Sequence, residues 1–239
     1  MRLLIIFLII PFFCNGQYFY PLLGKSATGG VPPVIKNQIS AYSTTALTCT
    51  SNTVDMTGVT SIVIAVTFNV FGSGWTNTIS DSKGNVYTLA ANDADGFGFI
   101  YYCTGLTSSN VSSTMTFTCK TATNYELEGV FFTVYGLTGI SALDTHNSAI
   151  FAGITATIST PSITPAYSGE FIVVAAGNIF YGATTALSNG FTLDQSIDSH
   201  ETWNCQGHLL TTSTSAISTT LSNGGSGYNY WGLCIASFH

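Results

Sequence analysis

Hydrophobic and polar positions alternate along most of this chain with a period of two, in short runs broken by Gly, Asn, Asp and Ser clusters. The runs lie at Thr45–Thr50, Ser61–Phe68, Val86–Ala90, Phe97–Cys103, Thr114–Cys119, Gly129–Tyr135, Glu170–Ala176, Gly190–Leu193, Ile217–Leu221 and Gly232–Phe238. Successive side chains of a strand point to opposite faces, so this spacing predicts strands. No stretch carries the 3.6-residue period of a helix, and the runs are rich in Thr, Val, Ile, Tyr and Phe, which suit a pleated surface. Many short strands with turn chemistry between them predict an all-β sandwich.

The pattern also resembles itself. Ser61-Ile-Val-Ile-Ala-Val-Thr-Phe aligns with Phe171-Ile-Val-Val-Ala-Ala, Asn85-Val-Tyr-Thr-Leu with Asn189-Gly-Phe-Thr-Leu, and Gly129-Val-Phe-Phe-Thr-Val-Tyr with Gly232-Leu-Cys-Ile-Ala-Ser-Phe. Loop-length changes would produce the slow drift in offset. Residues 46–136 and 156–239 are therefore predicted to be two copies of one strand order, closing into one sandwich over residues 37–239. Two tandem Ig-like domains are the alternative.

The first residues read differently. Arg2 followed by the apolar run Leu3–Phe13, then Cys14 and Gly16, has the layout of an export signal, with cleavage expected before Gln17. The run is too short to span a bilayer, which takes about 20 apolar residues. Acylation of Cys14 is the alternative, disfavoured by the bulky Phe13 before it. Residues 17–36 hold Tyr18, Phe19 and Tyr20, then paired glycines and prolines, and are expected to form an extended arm. Its aromatics are candidates for docking on a neighbouring copy, against the plainer reading of a tail lying on its own domain.

Charge narrows the function classes. Charged residues are 7% of the chain, with 5 basic against 11 acidic side chains, where about 25% charged is usual. So few cations leave no phosphate-binding face, which argues against nucleic acid as a partner. A surface of Ser, Thr, Asn and Gly has little repulsion to keep copies apart.

Five cysteines follow the presumed signal: Cys49, Cys103, Cys119, Cys205 and Cys234. Their odd number leaves at least one unpaired within the chain. Each alternates in register with apolar neighbours, which suits small buried hydrophobes. The one expected bridge is Cys103–Cys119, which a hairpin turning near Val111 would set opposite one another.

Chemistry-bearing candidates are few. Asp93 and Asp95, on a tight turn, weakly resemble a calcium loop but lack its downstream glutamate. An Asx-rich turn is the plainer reading. Asp194, Asp198, His200 and Glu201 form the one cluster mixing acids with histidine, a slender foothold for hydrolysis. Glu126 and Glu128 share a strand face, not a cleft. No nucleophile elbow, phosphate loop or dinucleotide fingerprint occurs. Trp203, Tyr228, Tyr230 and Trp231 stand beside glycine-rich loops, where aromatic rings could stack on sugars or else seal the sandwich ends.

The run Asp81-Ser-Lys-Gly84-Asn85-Val-Tyr87-Thr-Leu89 resembles the D-x-x-G-N-x-Y-x-L hairpin of a widespread family of secreted bacterial and phage-associated β-sandwich modules. Tyr101-Tyr102, Ser113–Phe117, Val134-Tyr-Gly-Leu137 with Leu143-Asp144, and Ile235–Phe238 extend the resemblance across most of residues 40–239. Val134 departs from it, where the pattern has Glu. The resemblance implies a jelly-roll, lectin-like sandwich in surface, adhesive or virion contexts, and brings no catalytic residues. Together these readings lead to the expectation of a secreted, non-enzymatic structural or adhesive module. Its partners would be copies of itself or cell-surface glycans, with no membrane contact after signal cleavage. A carbohydrate-binding module is the alternative, and a hydrolase a distant third.

Overall fold

The computed structural model describes residues 32–43, 47–70, 77–121, 127–178, 184–199, 202–223 and 228–239. Their regular structure is all strand. The first eight are β1 (Val34–Ser43), β2 (Thr48–Thr50), β3 (Ser61–Val70), β4 (Asn77–Asp81), β5 (Thr88–Asn92), β6 (Gly98–Thr104), β7 (Phe117–Thr121) and β8 (Leu127–Thr138). The second eight are β9 (Leu143–Ile154), β10 (Thr157–Ser159), β11 (Glu170–Asn178), β12 (Thr184–Leu187), β13 (Thr192–Ser199), β14 (Thr202–Thr211), β15 (Thr220–Asn223) and β16 (Tyr228–Phe238).

All pairings are antiparallel and form four sheets. Two have five strands, ordered β1-β8-β3-β6-β5 and β13-β14-β11-β16-β9; two have three, ordered β2-β7-β4 and β10-β15-β12. Adding eight to each strand number of the first half gives the order found in the second. The segments aligned in the sequence fall on β3 and β11, β5 and β13, and β8 and β16, and each pair holds the same place in its sheet.

The sheets stack in four layers, three-five-five-three, with apolar cores in every gap. Along β3, Ile62, Ile64, Val66 and Phe68 face the first three-stranded sheet, packing with Cys49, Phe117 and Cys119. Val63 and Ala65, on its other face, pack against Phe171, Val173 and Ala175 of β11 and against Ala236 and Phe238 of β16. Beyond β11, Ile172 and Val174 join Ile163 and Phe191, while Ala176, Trp231 and Leu233 join Ile158 and Leu221. Burial on both faces explains why β3 and β11 read as continuous apolar runs. The short outer strands β2 and β10, with one face in water, alternate instead. Each half thus encloses its own interior, and a further apolar layer is shared between the halves.

Several strands escaped the hydrophobic pattern for physical reasons. Edge strands β1 and β9 bury little; β1 alternates between exposed and half-buried positions. On β14, inward positions hold Gln206 and His208 where a core strand would carry aliphatics. The strand β1 begins at Val34 and pairs with Thr138, so residues 34–36, assigned from sequence to the arm, belong to the first sheet. Tyr18, Phe19 and Tyr20 lie outside the described residues.

Candidate functional site

The polar residues buried between the two five-stranded sheets are where the structure concentrates its chemistry. Tyr135 on β8 donates its hydroxyl proton to Asp194 Oδ2 at 2.6 Å, and the same oxygen lies 2.8 Å from His208 Nδ1. Asp194 comes from β13 and His208 from β14, so the contact joins the first half to the second. The imidazole lies against Phe171, with ring centroids 5.9 Å apart, and edge-on to Tyr135 at 5.6 Å. Burial and the adjacent Asp194 charge push the Tyr135 phenol well above its ordinary range, so it stays a neutral donor.

A histidine held by a carboxylate through Nδ1 is the arrangement that orients a general base. Such a base needs a nucleophile or water-binding cleft at Nε2. Among the described residues no hydroxyl or thiol hydrogen-bonds His208, and Tyr135 shares the carboxylate oxygen that orients the ring. The geometry is that of an inter-sheet lock. It also redraws the acid–histidine cluster seen in the sequence, for Asp194, at the irregularity between Leu193 and Gln195 in the β13–β14 ladder, engages His208 by its side chain. His200 and Glu201, and the side chain of Asp198, lie outside the described residues. The bulge that aims Asp194 at His208 is invisible to local spacing.

A second polar chain runs beside it. Gln206, fully buried, donates through Nε2 to Thr67 Oγ1 and to the Phe131 carbonyl, both at 3.0 Å. Its Oε1 accepts from Thr133 at 2.6 Å, and Thr133 meets Ser40 at 2.8 Å. Both N–H groups and the carbonyl oxygen of the Gln206 amide are engaged, as a low-dielectric interior demands.

On the opposite side of the interface sits Asp93, also fully buried. Its Oδ1 accepts the backbone N–H groups of Asp95, Gly96 and Phe97, and Oδ2 that of Gly98 at 2.5 Å. Burial raises its pKa, and the four amides pull it partly back. Both oxygens face N–H donors, so this donor set does not fit a cation. Asp95 accepts the Tyr230 hydroxyl from β16. The turn therefore fastens the β5–β6 connection to the second half. Gly232 permits that approach, since a Cβ there would lie 2.5 Å from the Asp93 carboxyl.

The aromatic candidates do not form a platform. Trp231 is wholly buried in the second-half core beside Leu233 and Leu221. It is a core residue, and its assignment to a sugar site is corrected: a ring without exposed surface cannot stack on a ligand. Its neighbour Tyr230 points to the other face of β16, with its ring 5.8 Å from that of Phe97. Consecutive strand residues cannot share a face. The side chains of Trp203 and Tyr228 lie outside the described ones.

The expected Cys103–Cys119 bridge is likewise corrected. Among the described residues Cys103 and Cys119 are both thiols, without a disulfide. Cys103 lies on β6 opposite Ile62, whereas Cys119 lies on β7 of the facing sheet, opposite Cys49. The segment between them crosses from one sheet to the other and is no hairpin.

The Asp81 motif also acquires a structural meaning. Asp81 Oδ1 accepts the N–H groups of Lys83 and Asn85, and Oδ2 accepts from Asn85 Nδ2 at 2.8 Å and Tyr87 at 2.6 Å. Gly84 supplies the positive φ of 74° that the turn requires. The motif's residues bind one another, which makes it a folding device. Comparison with protein-family models, with curated proteins and with solved structures finds no match.

Proposed function

We propose that this protein is a non-catalytic structural or adhesive surface module that assembles with copies of itself. The observation that carries this reading is the pair of long open edges. β1 is bonded only to β8, and β9 only to β16, leaving one side of each without a strand partner among the described residues. The packing of β5 against β9 and of β13 against β8 sets these two edges on opposite sides of the molecule.

An open edge is a template for pairing, and monomeric proteins usually blunt it with lysine, proline or a bulge. Across its twelve residues β9 has one charged side chain, Asp144, and no proline or lysine. It exposes Ile150, and β1 exposes Val34 and Tyr42. Edges on opposite sides favour open, head-to-tail growth over a closed pair. The occupant of the β9 edge is a second copy of the chain, which would gain backbone hydrogen bonds over a surface of low charge.

Light scattering after size exclusion, with negative-stain microscopy, tests the reading. Filaments, sheets or concentration-dependent oligomers are expected, and Ile150→Lys should abolish them while leaving the unfolding midpoint unchanged. Deleting residues 17–31 separates docking by the arm from docking by an edge strand. A protein that stays monomeric at its solubility limit would remove the proposal.

A further inference from the structure

We infer that Cys49 and Cys119 form a reversible disulfide site across β2 and β7. The two residues are direct antiparallel partners, and both side chains enter the same core, 3% and 0% exposed. No other cysteine of the described residues has a cysteine opposite it. Cys103 faces Ile62 and Thr88 neighbours Tyr102 beside it, Cys205 faces Ala176 and Ser196, and Cys234 faces Ala175 and Ser148.

The second half shows what this position needs for packing alone. There the middle of β10 and its partner on β15 are Ile158 and Leu221, an ordinary aliphatic pair. Two thiols in the equivalent place fill less volume, and they add the one chemistry an aliphatic pair lacks.

The backbone defines the bond that would result. Ser51 N–H donates to the Phe117 carbonyl at 2.8 Å, and Thr121 N–H to that of Leu47 at 2.9 Å. These lie two residues to either side, so Cys49 and Cys119 occupy a hydrogen-bonded position of the ladder. Cα atoms at such positions are about 5.5 Å apart, inside the range a disulfide accepts. Their Cβ atoms stand about 1 Å too far apart, so the strands must draw together. β2, three residues long and bonded only to β7, is the element that can shift. A bridge closed against that restoring force is more easily reduced than a relaxed one.

The oxidant is a small-molecule disulfide. One protein thiolate attacks it, forming a mixed disulfide and expelling a small thiol. The second protein thiolate then attacks the protein-side sulfur and expels the other small thiol. The two cysteines lose two protons and two electrons, and the oxidant gains them as two thiols. Burial pushes the Cys49 thiol up to about 11 and the Cys119 thiol higher still. In the closed fold thiolate is therefore scarce, and the exchange proceeds as the chain folds or when β2 lifts from its edge.

The test is refolding of the reduced, denatured protein across a series of oxidised-to-reduced glutathione ratios. Free thiols are then alkylated, and the digested protein is mapped by mass spectrometry without reduction. A linked Cys49–Cys119 peptide is expected at oxidising ratios, with Cys103 alkylated throughout, and the link should disappear at ratios that still preserve a relaxed bridge in a reference protein. The same refolded sample should unfold at a higher denaturant concentration than its reduced form. Recovery of both Cys49 and Cys119 as alkylated thiols at every ratio, in protein with a native circular dichroism spectrum, overturns the inference. So does a link from either residue to Cys103.

Discussion

The two halves of the molecule place strands in the same order yet hold them by different means. In the first half the turn leading into β5 is gathered on the Asp81 carboxylate, which receives backbone, amide and phenol donors. In the second half the turn leading into β13 uses Asn189 and Gly190, with φ of 58° and 80°. There Ser188 Oγ accepts the Thr220 N–H at 2.7 Å, and Asn189 Nδ2 donates to the Ser218 carbonyl at 2.7 Å. A half-buried carboxyl group does in one half what amide and hydroxyl groups do in the other. The shared requirement is the left-handed backbone and a local acceptor, and no ligand is needed to account for the motif.

The contrast sharpens at the layer between the halves. Val63 pairs with Tyr102 and Ala65 with Ile100; at the corresponding places Val173 pairs with His208 and Ala175 with Gln206. The first half thus offers apolar side chains where the second offers an imidazole and an amide. One side of the interface closes by burial, the other by the Tyr135–Asp194–His208 contact and the Gln206 chain. Apolar burial holds sheets together without fixing their lateral register, whereas satisfied polar networks fix it. The exchange of polar for apolar groups at matching places gives the join a defined setting.

Substitutions can break or refine this contrast, and the largest effect belongs to Trp231→Ala. It should destabilise the protein by about 3–5 kcal/mol, as for other fully buried aromatics, read as a fall in the urea midpoint. An unchanged midpoint would return Trp231 to the ligand-binding candidates. Gly232→Ala comes next, because its new Cβ meets the Asp93 carboxyl. A cost of about 1–3 kcal/mol is expected from overpacking, with amide exchange accelerating on both sides of the join. Asp194→Asn should cost about 1–3 kcal/mol by leaving a buried donor poorly matched. Tyr135→Phe should cost less, and comparison of the two with their double variant measures the coupling.

Acidity tests both halves at once. Burial raises Asp93 from the first half, and burial followed by the nearby Asp144 charge raises Glu170 from the second, partly offset by the Tyr167 N–H. Glu170 Oε2 has no hydrogen-bond partner, which agrees with a preference for the protonated form. The native state then holds protons that the unfolded chain releases from about pH 4 upward. Each group's share of stability is full below its ordinary value, 3.8 for Asp93 and 4.5 for Glu170, and is lost as pH rises through its raised native value. The urea midpoint should therefore carry a component that falls as pH rises above about 4, and Glu170→Gln should remove the second half's part of it. A midpoint slope unaltered by that substitution would contradict the assignment. The smallest effect belongs to Val86→Ser, at an 83% exposed site beside the Asp81 turn. It should change stability by no more than about 0.5 kcal/mol.

The amino-acid sequence alone carried the all-β class and the existence of the central strands. Local periodicity and turn residues are properties of neighbouring positions, so they can be read one segment at a time. The strands β1 and β9 were not legible, because an edge strand buries too little to imprint a strong alternation. Nor was β14, whose inward Gln206 and His208 look like surface residues until a facing sheet covers them. Which side chains meet is often decided by strands distant in the chain. That is why Cys119 finds Cys49, why Tyr135 finds Asp194, and why Trp231 beside a glycine-rich loop is core. Tertiary packing alone determined that four sheets stack with a polar lock at their centre, since only there do groups far apart in sequence lose water together.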